Sequence, residues 1–150
     1  MTERRTRRGF TLIEMLVVIA IIAVLVAVII PTVTSATTKA KAAADAANLR
    51  SVYGEANSII LMSGNNDTTV ESLKSMKMGD VKCSSYPNAV MKLAYVGTGY
   101  VSVYYVEGTN FYGLDYFSDV AAKGESTLSA AQPDLSAYGT VEWIPIQQGN

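Results

Sequence analysis

RRGFTLIEMLVVIAIIAVLVAVIIP, residues 7–31, is the stretch that decides the architecture of this chain. Sixteen apolar residues follow one another from Met15 to Ile30, and counting from Phe10 only Thr11 and Glu14 interrupt 21 residues. As a helix, that stretch rises about 32 Å, enough to cross a bilayer core of about 30 Å. A secretory signal peptide also starts basic, but its apolar run is shorter, about 7 to 15 residues, and ends at a small-residue cleavage site. Here the run passes instead into IPTVTSATTKAKAAADAANLR, which keeps a helix-forming composition. The segment therefore reads as a retained membrane helix. Arg4, Arg5, Arg7 and Arg8 hold the short N-terminus in the cytoplasm, with the chain after about residue 32 outside. Lys39 and Lys41 oppose that orientation weakly.

Glu14 is the anomaly. A carboxylate inside an apolar span costs a few kcal/mol to insert and marks a functional position by default. It stands five residues after Gly9, where the basic run gives way to a small residue and then to the apolar one. A cut between Gly9 and Phe10 would create a positive α-amino group at the head of the helix, at matching depth to Glu14 of a neighbouring copy. The competing reading is a carboxylate placed in the first helical turn because the helix dipole favours it there.

On these residues the chain resembles the type IV prepilins and pseudopilins. The shared pattern is a short basic leader, Gly at the cut, Phe at the new N-terminus, Glu at the fifth position of the mature chain and Pro at its twenty-second. The resemblance runs over roughly residues 4 to 60, and nothing after about residue 65 adds to it. It implies cleavage after Gly9 by a prepilin peptidase, N-methylation of Phe10 by the same enzyme, pairing of Glu14 with a neighbouring subunit's terminal amine, and a helix bend at Pro31. It also implies the membrane as a reservoir, a pilus assembly platform as partner, a helical homopolymer as product, and roles in adhesion and twitching motility.

Beyond the span, residues 32 to about 62 contain one helix-unfriendly residue, Gly54, and are rich in Ala. Val33, Ala36, Ala40, Ala43 and Ala47 step by three and four, and Val52 or Tyr53, Ala56 and Ile59 or Ile60 carry the stripe on, so this face is expected to be buried. Lys39, Lys41, Asp45 and Arg50 fall off it and read as a solvated face. SGNNDTT, residues 63–69, terminates the helix. A turn or two of helix follows over Val70–Met78, capped by Thr68 or Thr69, with Met76 and Met78 as core filler. Ala89–Val96, Tyr100–Val106 and Asn110–Asp115 then alternate as an antiparallel meander in which Val101, Val103 and Tyr105 face the helix. YGTVEWIPI adds a fourth, edge strand, because Pro145 has no N–H for an interior ladder. Residues 121–136 have no clean period and read as loop with a turn of helix.

The expected fold is α+β, a long N-terminal helix packed on an antiparallel sheet of about four strands. Its segments are a cleaved leader (1–9), a transmembrane and polymerisation helix (10–31), an amphipathic helix (32–62) and a β-rich head (63–150). With no His and one cysteine, Cys83, there is no Cys/His zinc site, no Ser/His/Asp or Cys/His catalytic set and no internal disulfide. Cys83 reads as a small buried hydrophobe. GNND, residues 64–67, has too few acids for a calcium loop. The nine tyrosines read as half-buried strand formers rather than a binding site. The first nine residues hold four of the twelve basic residues against one of the thirteen acidic ones, leaving a remainder of net charge −4, which disfavours direct nucleic-acid binding. No enzyme, cofactor or metal is therefore expected. The expected function is a pilus subunit that moves from the cytoplasmic membrane into an extracellular filament, the alternative being a pseudopilin of a secretion or DNA-uptake machine. A membrane-tethered enzyme or binding module finds no nucleophile and base to support it.

Overall fold

The computed structural model describes residues 9–64, 66–79 and 81–148. The first helix, α1, runs from Leu12 to Ser63. The described residues fall into two compact units divided between Ala36 and Thr37, and α1 contributes to both. In the first unit α1 passes through Pro31 without a break in helix assignment. Pro31 is thus no stop to the helix, although it cannot donate to the carbonyl one turn back. The hydroxyls of Thr32 and Thr34 donate to the Ile29 and Ile30 carbonyls at 2.7 and 2.6 Å. At its far end α1 closes with Gly64 at φ +71°, whose N–H donates to the Ile60 carbonyl, a left-handed closure that glycine adopts without strain.

In the second unit the buried face of α1 is Ala42, Asp45, Ala46, Leu49, Val52, Ala56 and Ile60. The expected stripe is correct from Val52 onward and wrong before it, because Ala40, Ala43 and Ala47 are exposed. The true face lies one residue over, about 100° around the helix. Alanines occupy both faces between 40 and 47, so apolar character alone does not separate them. What does is Asp45. Expected on a solvated face, it is fully buried. Its Oδ1 accepts from the Ser84 N–H at 2.6 Å, and its Oδ2 accepts from the Ser85 N–H at 2.9 Å and from the Cys83 thiol at 3.4 Å. Two backbone amides and a thiol replace the water the carboxylate gives up, which makes its burial affordable. Cys83 is buried, as expected of a small hydrophobe. Burial first, and then the charge of Asp45, pushes its thiol up to about 12.

After Gly64 comes α2, Asp67–Ser75, which begins and ends three residues earlier than expected and is capped by Asn66 rather than by Thr68 or Thr69. Asn66 accepts from the Thr68 N–H at 3.0 Å, while the Thr69 hydroxyl accepts from the Asn66 N–H. The strands are β1 (Lys77–Met78), β2 (Val90–Val96), β3 (Tyr100–Glu107), β4 (Asn110–Tyr112), β5 (Val141–Pro145) and β6 (Gln147–Gln148). The main sheet has the order β4-β3-β2-β5 and is antiparallel throughout, with Leu93 opposite both Val103 and Ile144. β1 and β6 form a separate parallel pair that the sequence did not suggest. Leu93, Val101, Val103, Tyr105 and Ile144 share one core with the buried face of α1. The Tyr105 hydroxyl donates to the Val81 carbonyl at 2.6 Å and accepts from the Asn48 side chain, tying sheet, loop and helix at one atom. Met76 joins the core and Met78 packs against it. The fold is α+β, a long N-terminal helix packed on a four-strand antiparallel sheet.

One expectation fails after β4. The strand over Asn110–Asp115 ends at Tyr112, and Leu114–Lys123 is a helix, α3. Leu114, Phe117, Val120 and Ala121 give it an apolar face, Asp115 lies in its first turn and Lys123 in its last, and Gly124 at φ +98° closes it. Phe117 and Tyr116 meet Tyr86, Tyr112 and Tyr105 in an aromatic cluster, with Tyr86 stacked on Tyr112 at 4.0 Å between centroids. On the other face of the sheet Tyr104, Phe111 and Trp143 form a second group at 5.1–6.2 Å.

Candidate processing and assembly site

Phe10 and every large apolar residue of α1 as far as Ile30 are 45–83% exposed in the single chain. No stripe is spared, so the segment offers an apolar surface all round, as expected where the surroundings are lipid or other helices rather than water. α1 is long and apolar enough to cross a membrane, and none of its most apolar stretch is buried. Phe10 and Glu14 lie on one side of the helix start, where Ile13, Val17 and Val18 flank them around a shallow apolar hollow.

Glu14 finds its partner within its own chain. The Thr11 N–H donates to Glu14 Oε2 at 2.7 Å and the Thr11 hydroxyl donates to the same oxygen at 2.8 Å. In return the Glu14 N–H donates to the Thr11 hydroxyl at 3.3 Å. This reciprocal exchange is a capping box, which supplies partners to N–H groups that the first turn leaves unsatisfied. The Thr-x-x-Glu spacing in residues 11–14 is its sequence signal, and Thr11 was not among the expected site residues. The geometry therefore gives the dipole reading of Glu14 a concrete local form. It also leaves Glu14 Oε1 without a hydrogen bond among the described residues, in an exposed turn.

Gly9 precedes the helix in exposed, irregular backbone with nothing within 4 Å of where a Cβ would stand. Its small size is therefore not required by packing against the described residues. Arg4, Arg5, Arg7 and Arg8 lie outside the described residues. Among those described, no group of three or more His, Cys, Asp or Glu is placed to hold a metal.

Residues 4–30 match the prokaryotic N-terminal methylation motif. The match spans the arginines, Gly9, Phe10 and Glu14 and stops one residue short of Pro31. It supports a class III signal peptide of the type IV pilin and pseudopilin kind, and with it a precursor processed by prepilin peptidase and anchored by its apolar helix. Such a motif marks structural subunits rather than enzymes. Residues 31–150 lie outside the motif. Comparison of the whole chain with curated proteins and with solved structures finds no match.

Proposed function

We propose that this chain is a structural subunit of a type IV pilus. The observation that carries the reading is the match to the methylation motif over residues 4–30, which supports a prepilin-like precursor whose apolar helix begins beside Gly9, Phe10 and Glu14. The precursor sits in the cytoplasmic membrane with residues 1–9 inside and the head outside. Cleavage after Gly9 releases the leader, and Phe10 becomes the N-methylated terminus. An assembly platform then lifts the subunit from lipid into a helical stack of copies of itself. There Phe10–Ile30 exchanges lipid contacts for protein contacts, and Glu14 meets the terminal amine of a neighbour. A buried ion pair contributes little net stability, so this pairing fixes axial register while the apolar surface supplies the affinity. Pro31 leaves one carbonyl of α1 without its helical donor, which gives the helix a place to bend on packing.

Mass spectrometry of fibres sheared from the cell surface tests this. Abundant peptides beginning at a methylated Phe10 are expected. A processed, methylated chain confined to the cell envelope, with no fibres containing it, would favour the pseudopilin reading instead. A chain that keeps residues 1–9 would overturn both.

A further inference from the structure

Part of the main sheet has no strand paired to it, although its residues Val101 and Val103 are nearly buried. β3 has eight residues, but β4 pairs with only Tyr105–Glu107. Antiparallel ladders alternate, so successive residues turn their N–H and C=O groups to opposite sides of the strand. Ile146 donates to the Met91 carbonyl, so Met91, Leu93 and Tyr95 bond toward β5, while Lys92, Ala94 and Val96 bond toward β3 through Tyr104, Ser102 and Tyr100. The main-chain groups of Val101 and Val103 therefore turn away from β2, on the side β4 would occupy had it continued. They find no hydrogen-bond partner among the described residues. Beside Val103 lies a cleft of about 510 Å³, walled by Leu49 and Tyr53 of α1, by Tyr104 and by Leu128 of the loop after α3. Asp115, exposed at its rim, is the only lining residue charged at neutral pH.

We propose that this cleft takes a short extended peptide segment of another protein, which adds to β3 as a strand at Val103 and carries a basic residue toward Asp115. The unmet groups dictate the form of the occupant, because alternate N–H and C=O groups along an edge are matched by another extended main chain. The walls dictate its composition, since a mainly aliphatic and aromatic cleft favours apolar side chains at alternate positions. Charge dictates the remainder, with one carboxylate and no cation at the rim. The unpaired stretch is only a few residues long, from the start of β3 at Tyr100 to the β4 pairing at Tyr105. Few main-chain bonds can form there, so the contact is weak unless repeated many times in an array.

The test uses the full chain in detergent micelles and a fluorescent, end-blocked peptide, Lys-Thr-Val-Thr-Val-Thr. In the free protein the Val103 amide should exchange its hydrogen about 100-fold or more faster than the amides of Ser102 and Tyr104, which bond to β2. Peptide at about 1 mM should slow Val103 at least about tenfold and leave those two unchanged. Val103→Pro removes the outward N–H while leaving the ladder bonds to β2 in place, though it also deletes a core side chain, and should weaken peptide binding about tenfold in a variant whose circular dichroism is retained. Should that variant fail to fold, the same peptide with N-methylated main-chain amides makes the test from the other side and should lose binding. Replacing its Lys by Glu should weaken binding about threefold or more. A Val103 amide already as protected as its neighbours would overturn the proposal, as would equal binding of the N-methylated peptide.

Discussion

Thr11 and Glu14 exchange hydrogen bonds at the start of α1, and this decides which substitution separates pairing from capping at Glu14. Glu14→Ala removes both roles, whereas Glu14→Gln keeps an acceptor for the Thr11 N–H and loses only the charge. Neither change lies on the leader side of the cut, so cleavage after Gly9 should survive in both. If the carboxylate neutralises a neighbour's amine in an apolar filament core, each variant leaves that amine unpaired at about 3–5 kcal/mol, and fibre yield collapses in both. If Glu14 only caps the helix, Glu14→Gln should assemble normally and Glu14→Ala should lose about 1 kcal/mol of helix-start stability. Quantifying sheared fibres from the two strains decides between them. Cys83 carries a second expectation. Its thiol rises from 9.0 to about 12 in the folded chain, chiefly through burial. Between those values the unfolded chain has lost the proton that the folded chain keeps, so stability falls as pH rises through that window. Only the thiolate is nucleophilic, so at pH 9 iodoacetamide should label the native chain about 100-fold or more slowly than the denatured one. Equal rates would show an accessible thiol. That Cys83 is a small buried hydrophobe was readable from its standing alone as the one cysteine. That Asp45 is its neighbour was not, because the donors that make this burial tolerable come from residues 83–85, nearly 40 positions away.

At the scale of elements, α3 shows how a period is lost when a neighbouring one is extended across it. Asn110–Tyr112 alternates as a strand should, and carrying that alternation on to Asp115 hid the helix that begins at Leu114. The stop and start signals were present all the same: Gly113 ahead of the first turn, Asp115 within it, Lys123 in the last turn and Gly124 after it. Gly124 sits at φ +98° and donates to the Val120 carbonyl at 2.7 Å, so Gly124→Ala forces a Cβ into the left-handed region and should cost about 1 kcal/mol. Gly54 is the contrasting case. It lies inside α1 with nothing within 4 Å of a built Cβ, so Gly54→Ala should stabilise by about 0.5–1 kcal/mol. Chemical denaturation of the two variants beside the parent chain should therefore show shifts of opposite sign. The error in the α1 stripe has another origin. From Ala40 to Ala47 burial is decided by the partner of Asp45 and by the size of Leu49, and a pattern of apolar against polar residues contains neither.

For the whole molecule, the α+β class was legible because its two halves use different periods: an unbroken apolar run and an Ala-rich helix first, then Val and Tyr alternation divided by GTG and EGT. The β1–β6 pair was not legible, since two-residue strands carry no period. The same division of the chain predicts where assembly resides. The second unit owns a continuous core built from α1, the sheet and α3, with Leu49, Leu93, Tyr105, Phe117 and Ile144 at most 1% exposed. Nothing in that core draws on residues before 37. The first unit, in contrast, leaves its large apolar side chains uncovered and has no core of its own. Residues 32–150 expressed alone should thus be soluble and folded, with a cooperative thermal transition. They should also sediment as a monomer at micromolar concentration, because the apolar surface assigned to polymerisation has been removed and the remaining open edge of β3 is too short to hold two copies together. The full chain, extracted from the membrane, should associate as detergent is withdrawn. A filament or large oligomer of residues 32–150 in sedimentation velocity would move the assembly surface into the head and take the Glu14 pairing out of its central place.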